Sequence, residues 1–219
     1  MSQIFAFGDS ITWGCWDVNG GWADLLKKEI VQYLDNLSMD REIVFYNLGI
    51  PSNRTDQLIQ RFKGEVDARF DDDNQERYFI FAFGANDAAF KIKEQVFRLS
   101  IDEYEANIRK IIELTKEYSD NIVFLNTTPV DESKTDGVLN PSKSRKNEYV
   151  DKYNEVLAKV CSEKGIGLID INTEFKKNEY IKLLYEDGLH PNTKGHQVIL
   201  DLMKEYLKDK GVIDWAVEK

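Results

Sequence analysis

The chain has 219 residues, 42% apolar and 31% charged, with 39 acidic against 29 basic side chains and a formal net charge of −10. That length buries a substantial core, and the composition is that of an ordinary globular domain rather than a disordered or fibrous chain. The acidic balance argues against nucleic acid and anionic membrane surfaces as partners, and no run approaches the ~20 apolar residues of a membrane span.

Along the chain, Ile4-Phe5-Ala6-Phe7 predicts a strand over 4–7 that runs straight into Gly8-Asp9-Ser10-Ile11-Thr12. A serine at a strand-to-helix turn is positioned as an exposed nucleophile. Trp13 and Trp16 follow it, flanking the turn either as cleft lining or as packing, whereas Trp22 is expected in the core at the start of a helix over 22–34. The next strand, over 43–47, ends in Leu48-Gly49-Ile50-Pro51, and Arg54 beyond it is expected in a surface ion pair. Asp71, Asp72 and Asp73 read as a solvated loop ahead of a third strand over 78–83, which ends in Gly84-Ala85-Asn86-Asp87. Phe90 just beyond is a second aromatic beside a glycine turn.

Apolar residues at helical spacing then predict a helix over 101–118, and a fourth strand follows over 122–126. The long polar stretch 127–141 is either a lid or a mobile surface loop, since it leaves a strand's carboxyl end. Lys143, Arg145 and Lys146 read as the solvated start of a helix over 148–164, not as a basic patch. A fifth strand is predicted over 167–171 and a last helix over 195–208. Short strands alternating with such helices imply a parallel sheet covered on both faces. No domain boundary interrupts residues 1–219, which are expected to form one domain.

Between the last strand and helix lies Asp187-Gly188-Leu189-His190-Pro191, a carboxylate and an imidazole three residues apart in one turn. A serine hydroxyl is a weak nucleophile until a neighbouring base takes its proton. Histidine suits that task, with an unperturbed pKa of about 6.5, and a carboxylate on its other nitrogen fixes the tautomer and stabilises the imidazolium. Of the two histidines, His190 has an acid beside it, while His196 sits at the start of the last helix and is expected to be structural. Charge that develops on the substrate oxygen needs donors, and glycine turns at the ends of neighbouring strands supply them: the backbone N–H groups of Ser10 and Gly49 and the side-chain amide of Asn86.

Four blocks in this order, Gly8-Asp9-Ser10-Ile11-Thr12, Asn47-Leu48-Gly49, Gly84-Ala85-Asn86-Asp87 and Asp187-Gly188-Leu189-His190-Pro191, resemble the SGNH, or GDSL, hydrolases of esterase and lipase type. The resemblance implies a three-layer α/β/α sandwich with a five-stranded parallel sheet of flavodoxin-like topology. It also implies hydrolysis of a small-molecule ester through an acyl-serine, with no metal or organic cofactor. The site residues carried over are Ser10, Asp187 and His190 for catalysis and Ser10, Gly49 and Asn86 for the oxyanion hole. One departure is Ser52, where members often have a second glycine. Thr12 also stands where the nucleophile elbow of an ordinary α/β-hydrolase has glycine, which argues against that family.

The reaction expected is ester hydrolysis on a short ester, an acetylated sugar or a lysophospholipid-like substrate. An acyltransferase or thioesterase uses the same acyl-serine, and a domain that binds without turnover keeps the same fold. Cys15 and Cys161 form neither a metal cluster nor a disulfide framework and are expected reduced. A cytoplasmic protein without stable membrane insertion is the expectation, because no basic start followed by an apolar signal core opens the chain.

Overall fold

The computed structural model describes residues 2–35, 42–70 and 75–215, so the expectation for Asp71, Asp72 and Asp73 lies outside the described residues. Strand β1 (Ser2–Gly8) leads into a short helix α1 (Ser10–Trp13), followed by α2 (Gly21–Asp35), β2 (Ile43–Gly49), α3 (Thr55–Asp67) and β3 (Glu76–Ala82). Two short strands, β4 (Phe90–Lys91) and β5 (Val96–Phe97), precede α4 (Ile101–Lys116) and β6 (Ile122–Leu125). The chain continues through α5 (Glu132–Thr135), β7 (Lys143–Ser144), α6 (Asn147–Lys164), β8 (Gly167–Ile169), α7 (Ile171–Lys177) and α8 (Thr193–Asp209).

Five strands form a parallel sheet in the order β2-β1-β3-β6-β8. Numbered among themselves they read 2-1-3-4-5, the flavodoxin-like order expected, in which the chain reverses direction beside β1. Strand alternation sorts the apolar residues onto two faces. Ile4, Ala6 and Ile80 pack with Trp22, Leu26, Ile199 and Met203 of α2 and α8. Phe5, Phe7, Phe79 and Phe81 pack with Leu58, Phe62, Ile108 and Leu157 of α3, α4 and α6. On that second face the phenylalanines stack across strands, with ring centroids 5.0 Å apart for Phe5 and Phe79 and 5.7 Å apart for Phe7 and Phe81. Such pairs add about 0.5–1.5 kcal/mol each beyond area burial.

Besides the one-turn helices α1 and α5, α3 and α7 lie outside the four helices predicted. In α3 the buried stripe Leu58, Phe62 and Val66 is thin among polar residues. Helix α7 begins at Ile171, where the strand prediction still runs, because the Asp170 side chain accepts from Thr173 N and caps a helix there. The segment at Lys143 is corrected as well: Lys143–Ser144 is strand β7, not a helix start, and pairs with β4 in a small antiparallel sheet ordered β5-β4-β7. Among the described residues no helix is long and apolar enough to cross a membrane.

Candidate active site

The register of the central strands decides where the functional turns fall. Gly8 lies opposite Gly49 of β2 on one side and Ala82 of β3 on the other. Three consecutive strands therefore end level, and the turns bearing Ser10, Gly49 and Asn86 gather at one carboxyl edge of the sheet. Arg61 ties this edge together by donating to the carbonyls of Leu48 at 2.8 Å and Gly8 at 3.5 Å, and to Asn53 Oδ1 at 3.0 Å.

Ser10 opens α1, so its backbone N–H has no carbonyl of its own helix to meet. Asp9 caps that helix, its Oδ1 accepting from Ile11 N at 2.9 Å. Helix α1 stops after one turn because Gly14 adopts a left-handed φ of 90°, and a Cβ there would meet the Gly20 carbonyl oxygen at 2.0 Å. The Gly49 turn packs directly on this helix, since a Cβ on Gly49 would stand 2.3 Å from Trp13 N.

The distant turn at Asp187 is built from its own side chain. Oδ1 accepts from the backbone N–H groups of Leu189 and His190, both at 3.0 Å, which leaves Oδ2 to face the ring. His190 Nδ1 lies 2.6 Å from Asp187 Oδ2, and His190 Nε2 lies 2.8 Å from Ser10 Oγ across 180 positions of sequence. With Nδ1 turned to the carboxylate, Nε2 is the ring nitrogen left to accept from the serine hydroxyl. Partial burial pushes the Asp187 carboxyl up, but the bond from His190, the Leu189 N–H and the nearby imidazole charge outweigh it and hold the pKa at about 2. Ser10 itself is only 9% exposed, so the hydroxyl lies recessed rather than standing out on a tip as the sequence suggests.

The expected oxyanion donors are close by but engaged. Asn86 Nδ2 donates to Asp9 Oδ2 at 3.1 Å, and Gly49 N donates to Asn47 Oδ1 at 3.1 Å. One hydrogen of the Asn86 amide remains beyond that bond. Asp9 is fully buried; burial pushes its carboxyl up, opposed by the bond from Ile11 N, the charges of His190 and Arg145, and the Asn86 amide. Asp87 next to Asn86 accepts from Thr55 N at 3.0 Å and Thr55 Oγ1 at 2.6 Å, pinning the third turn to the start of α3.

Most of the neighbouring side chains take roles the sequence suggests. Trp16 is 61% exposed, stacks on Tyr185 with centroids 5.7 Å apart, and donates from Nε1 to Asp187 Oδ2 at 3.1 Å. Trp13, Trp16, Val18 and Tyr185 line a cleft of about 780 Å³ that adjoins the site through Trp16 without including Ser10. Phe90, in the small sheet, packs instead on Phe97 of the same sheet and on Tyr149 of α6. Trp22 is fully buried, and Arg54 pairs with Asp56 at 2.8 Å, both as expected. His196 is buried and structural, its Nδ1 accepting from Trp22 N at 3.2 Å. Ser52 has a φ of 65°, the left-handed geometry that explains why glycine is the common choice at that turn.

The first part of residues 127–141 is packed against the site, while Val138 and Leu139 further along are exposed. Val130 and Asp131 are buried, Asp131 N donates to the Gly188 carbonyl at 2.8 Å, and Asn147 holds Val130 from both sides. Arg145 is the largest departure from expectation. Its guanidinium turns inward to Ala85 O at 3.3 Å and Asn86 Oδ1 at 3.5 Å, while Arg98 reaches the same oxygen at 3.3 Å. No local pattern marks these arginines, because the small sheet that delivers them pairs segments some fifty positions apart.

A parallel sheet that delivers a recessed serine to an imidazole backed by a carboxylate is the build of a carboxylic ester hydrolase. Residues 6–198 match the model of the GDSL-like Lipase/Acylhydrolase family, and the chain belongs to that family. It is 27% identical over 204 residues to an isoamyl acetate-hydrolyzing esterase 1 homolog of Mus musculus, covering 90% of this chain and 78% of that one. A lipase/acylhydrolase from Enterococcus faecalis superposes with a TM-score of 0.75 at 20% identity, over 96% of this chain and 97% of that one. An acetylxylan esterase from Geobacillus stearothermophilus gives a TM-score of 0.68 at 22% identity, over 100% and 97%. These two structural likenesses speak for the fold.

Proposed function

We propose that the protein hydrolyses small acetyl esters through an acyl-serine formed on Ser10. The observation that carries this reading is the unbroken series from Ser10 Oγ through His190 to Asp187, at 2.8 Å and 2.6 Å. In the proposed reaction Oγ bonds to the ester carbonyl carbon as His190 Nε2 takes the hydroxyl proton. The carbon–oxygen bond to the alcohol then breaks, and His190 returns that proton to the departing alcohol. Water attacks the acyl-serine by the same route in reverse, releasing the acid and restoring Ser10. Asp187 orients the ring and stabilises the imidazolium throughout.

The oxyanion falls to the N–H of Ser10, the free hydrogen of the Asn86 amide, and the N–H of Gly49 once Asn47 releases it. Removing one such donor elsewhere costs about 10²–10³ in kcat. Acetyl is the acyl group of choice because an isoamyl acetate-hydrolysing relative and an acetylxylan esterase neighbour both carry it in their names. The aromatic cleft beside Trp16 is suited to an apolar or sugar-like face. Residues 1–219 act as one hydrolase domain in this reading, with nucleophile and base drawn from its two ends. A cytoplasmic setting fits the two free thiols, Cys15 and Cys161.

Turnover of para-nitrophenyl acetate by the protein and by Ser10→Ala tests the reading. Loss of nearly all turnover in the variant, with serine labelling by a fluorophosphonate only in the unsubstituted protein, is the expected result. Undiminished turnover in Ser10→Ala would remove the nucleophile from the scheme.

A further inference from the structure

The chain is strongly acidic, yet the surroundings of Asn86 are not. Arg98 follows β5 and Arg145 follows β7, and both turn to the single oxygen Asn86 Oδ1. Lys143, on β7 itself, lines with Arg145, Asp187 and Leu189 a concavity of about 240 Å³ that shares no lining residue with the Trp16 cleft. Arg98 reaches its rim by donating to the carbonyl of Ser52, a lining residue, at 3.5 Å.

These three cations differ from the paired ones around them. Arg54 is paired with Asp56, Lys134 with Asp131, and Lys146 with Asp136. Among the described residues no carboxylate comes within 4.0 Å of the charged nitrogens of Arg98, Lys143 or Arg145. The two arginines meet instead neutral carbonyl and amide oxygens at 3.3–3.5 Å, long contacts that leave donor capacity unspent. The ammonium of Lys143 is disfavoured by burial and by the charges of Arg98 and Arg145, so the three sense one another. Asp9 and Asp187 offset part of the charge on Arg145 from beyond ion-pair range.

Holding half-buried like charges together is unfavourable unless an anion joins them. A protein of net charge −10 also repels anionic solutes at large, so such a group needs a local positive field to enter. We propose that the ester taken at this site carries a compact anion, a carboxylate or a phosphate, on its alcohol portion, held by Arg98, Lys143 and Arg145 in the concavity beside Asp187. The inference rests on the acetyl-ester reading above, since an acetyl group has no room for the charge and leaves the alcohol to bear it. Guanidinium forks suit both oxyanions, and the proximity of Arg145 to Asn86 sets the anion close to the reacting carbonyl.

Three acetyl esters of matched shape test this: para-acetoxybenzoate, para-acetoxyphenyl phosphate and the neutral methyl para-acetoxybenzoate. The anionic esters are expected to exceed the neutral one in kcat/KM by about tenfold or more at low ionic strength, with the gap closing in high salt. Which anion gives the larger ratio identifies the natural charge. Lys143→Gln and Arg98→Gln should each shrink the ratio, a change that a merely structural role in supporting Asn86 does not produce. A ratio near one, or one that both variants leave intact, overturns the proposal. Binding to Ser10→Ala separates the two readings: discrimination between para-acetoxybenzoate and its methyl ester should persist there and shrink with Lys143→Gln added. Turnover of the neutral ester without that discrimination sinks the anion subsite alone, whereas discrimination without turnover in the unsubstituted protein sinks the hydrolase reading alone.

Discussion

Trp16 and His190 share one acceptor. The indole Nε1 donates to Asp187 Oδ2 at 3.1 Å, the same oxygen that holds His190 Nδ1 at 2.6 Å. Trp16 keeps this contact from a left-handed backbone, φ 67°, which costs a bulky residue about 1–2 kcal/mol. Strain of that kind persists where surrounding contacts over-determine it, here the bond to Asp187 and the stack on Tyr185. Trp16→Phe keeps the stack and deletes the donor. Steady-state kinetics on para-nitrophenyl acetate should show kcat/KM reduced about three- to tenfold, led by kcat, for a partly exposed bond worth about 1 kcal/mol. Unchanged kcat would mean that the indole bond does not help to place the carboxylate.

Asp9 is a buried carboxylate whose two oxygens each accept one donor, Ile11 N and Asn86 Nδ2. Asp9→Asn sets an amide against the Asn86 amide, donor against donor. An unsatisfied buried donor costs about 1–3 kcal/mol, so kcat should fall roughly 10- to 100-fold with KM changing little. A rise in KM at constant kcat would assign Asp9 to substrate binding instead.

Gly49 is needed for close approach. A Cβ would stand 2.3 Å from Trp13 N and 2.8 Å from Thr12 C, both backbone atoms that no side-chain rotation can clear. Gly49→Ala should therefore cost about 1–3 kcal/mol, seen as a lower urea midpoint, and should shift α1 enough to depress turnover. A variant with the original midpoint and rate would show that this turn tolerates the extra carbon.

His196 supplies a pH dependence of stability. Burial lowers its pKa from 6.5 to about 4, with nearby Asp17 opposing the shift and His190 adding to it. Above pH 6.5 neither folded nor unfolded chain protonates this ring, and its contribution to stability is complete. Between 6.5 and about 4 the unfolded chain takes up a proton that the folded one refuses, so stability falls with pH, by about 3 kcal/mol once both are protonated. His196→Asn keeps an acceptor for Trp22 N without a titrating ring. Urea unfolding from pH 7 to pH 4 should therefore give a flatter curve for the variant, and parallel curves would refute the assignment.

The strands and the site blocks were legible because their signals are local. Near-continuous apolar runs such as Ile4 to Phe7 need burial on both faces, and a glycine turn after each run announces the sheet edge. The Asp187 to His190 turn is equally local, since the acid caps the backbone that carries the base. Helix α7 escaped because a capping contact at Asp170, not periodicity, ends the strand before it.

By itself, then, the sequence determined the layered parallel fold, through local apolar runs, and the family, through four short blocks taken in their order along the chain. Only the tertiary structure decided that Ser10 meets His190 across 180 positions, that Trp16 shares Asp187 with the ring, and that Arg98 and Arg145 converge on Asn86. The physical reason is chain connectivity: a contact between remote residues depends on strand order and register, which no short window of sequence encodes. For Arg145 the window misleads, because its neighbours look solvated until β7 pairs with β4 and turns the guanidinium inward.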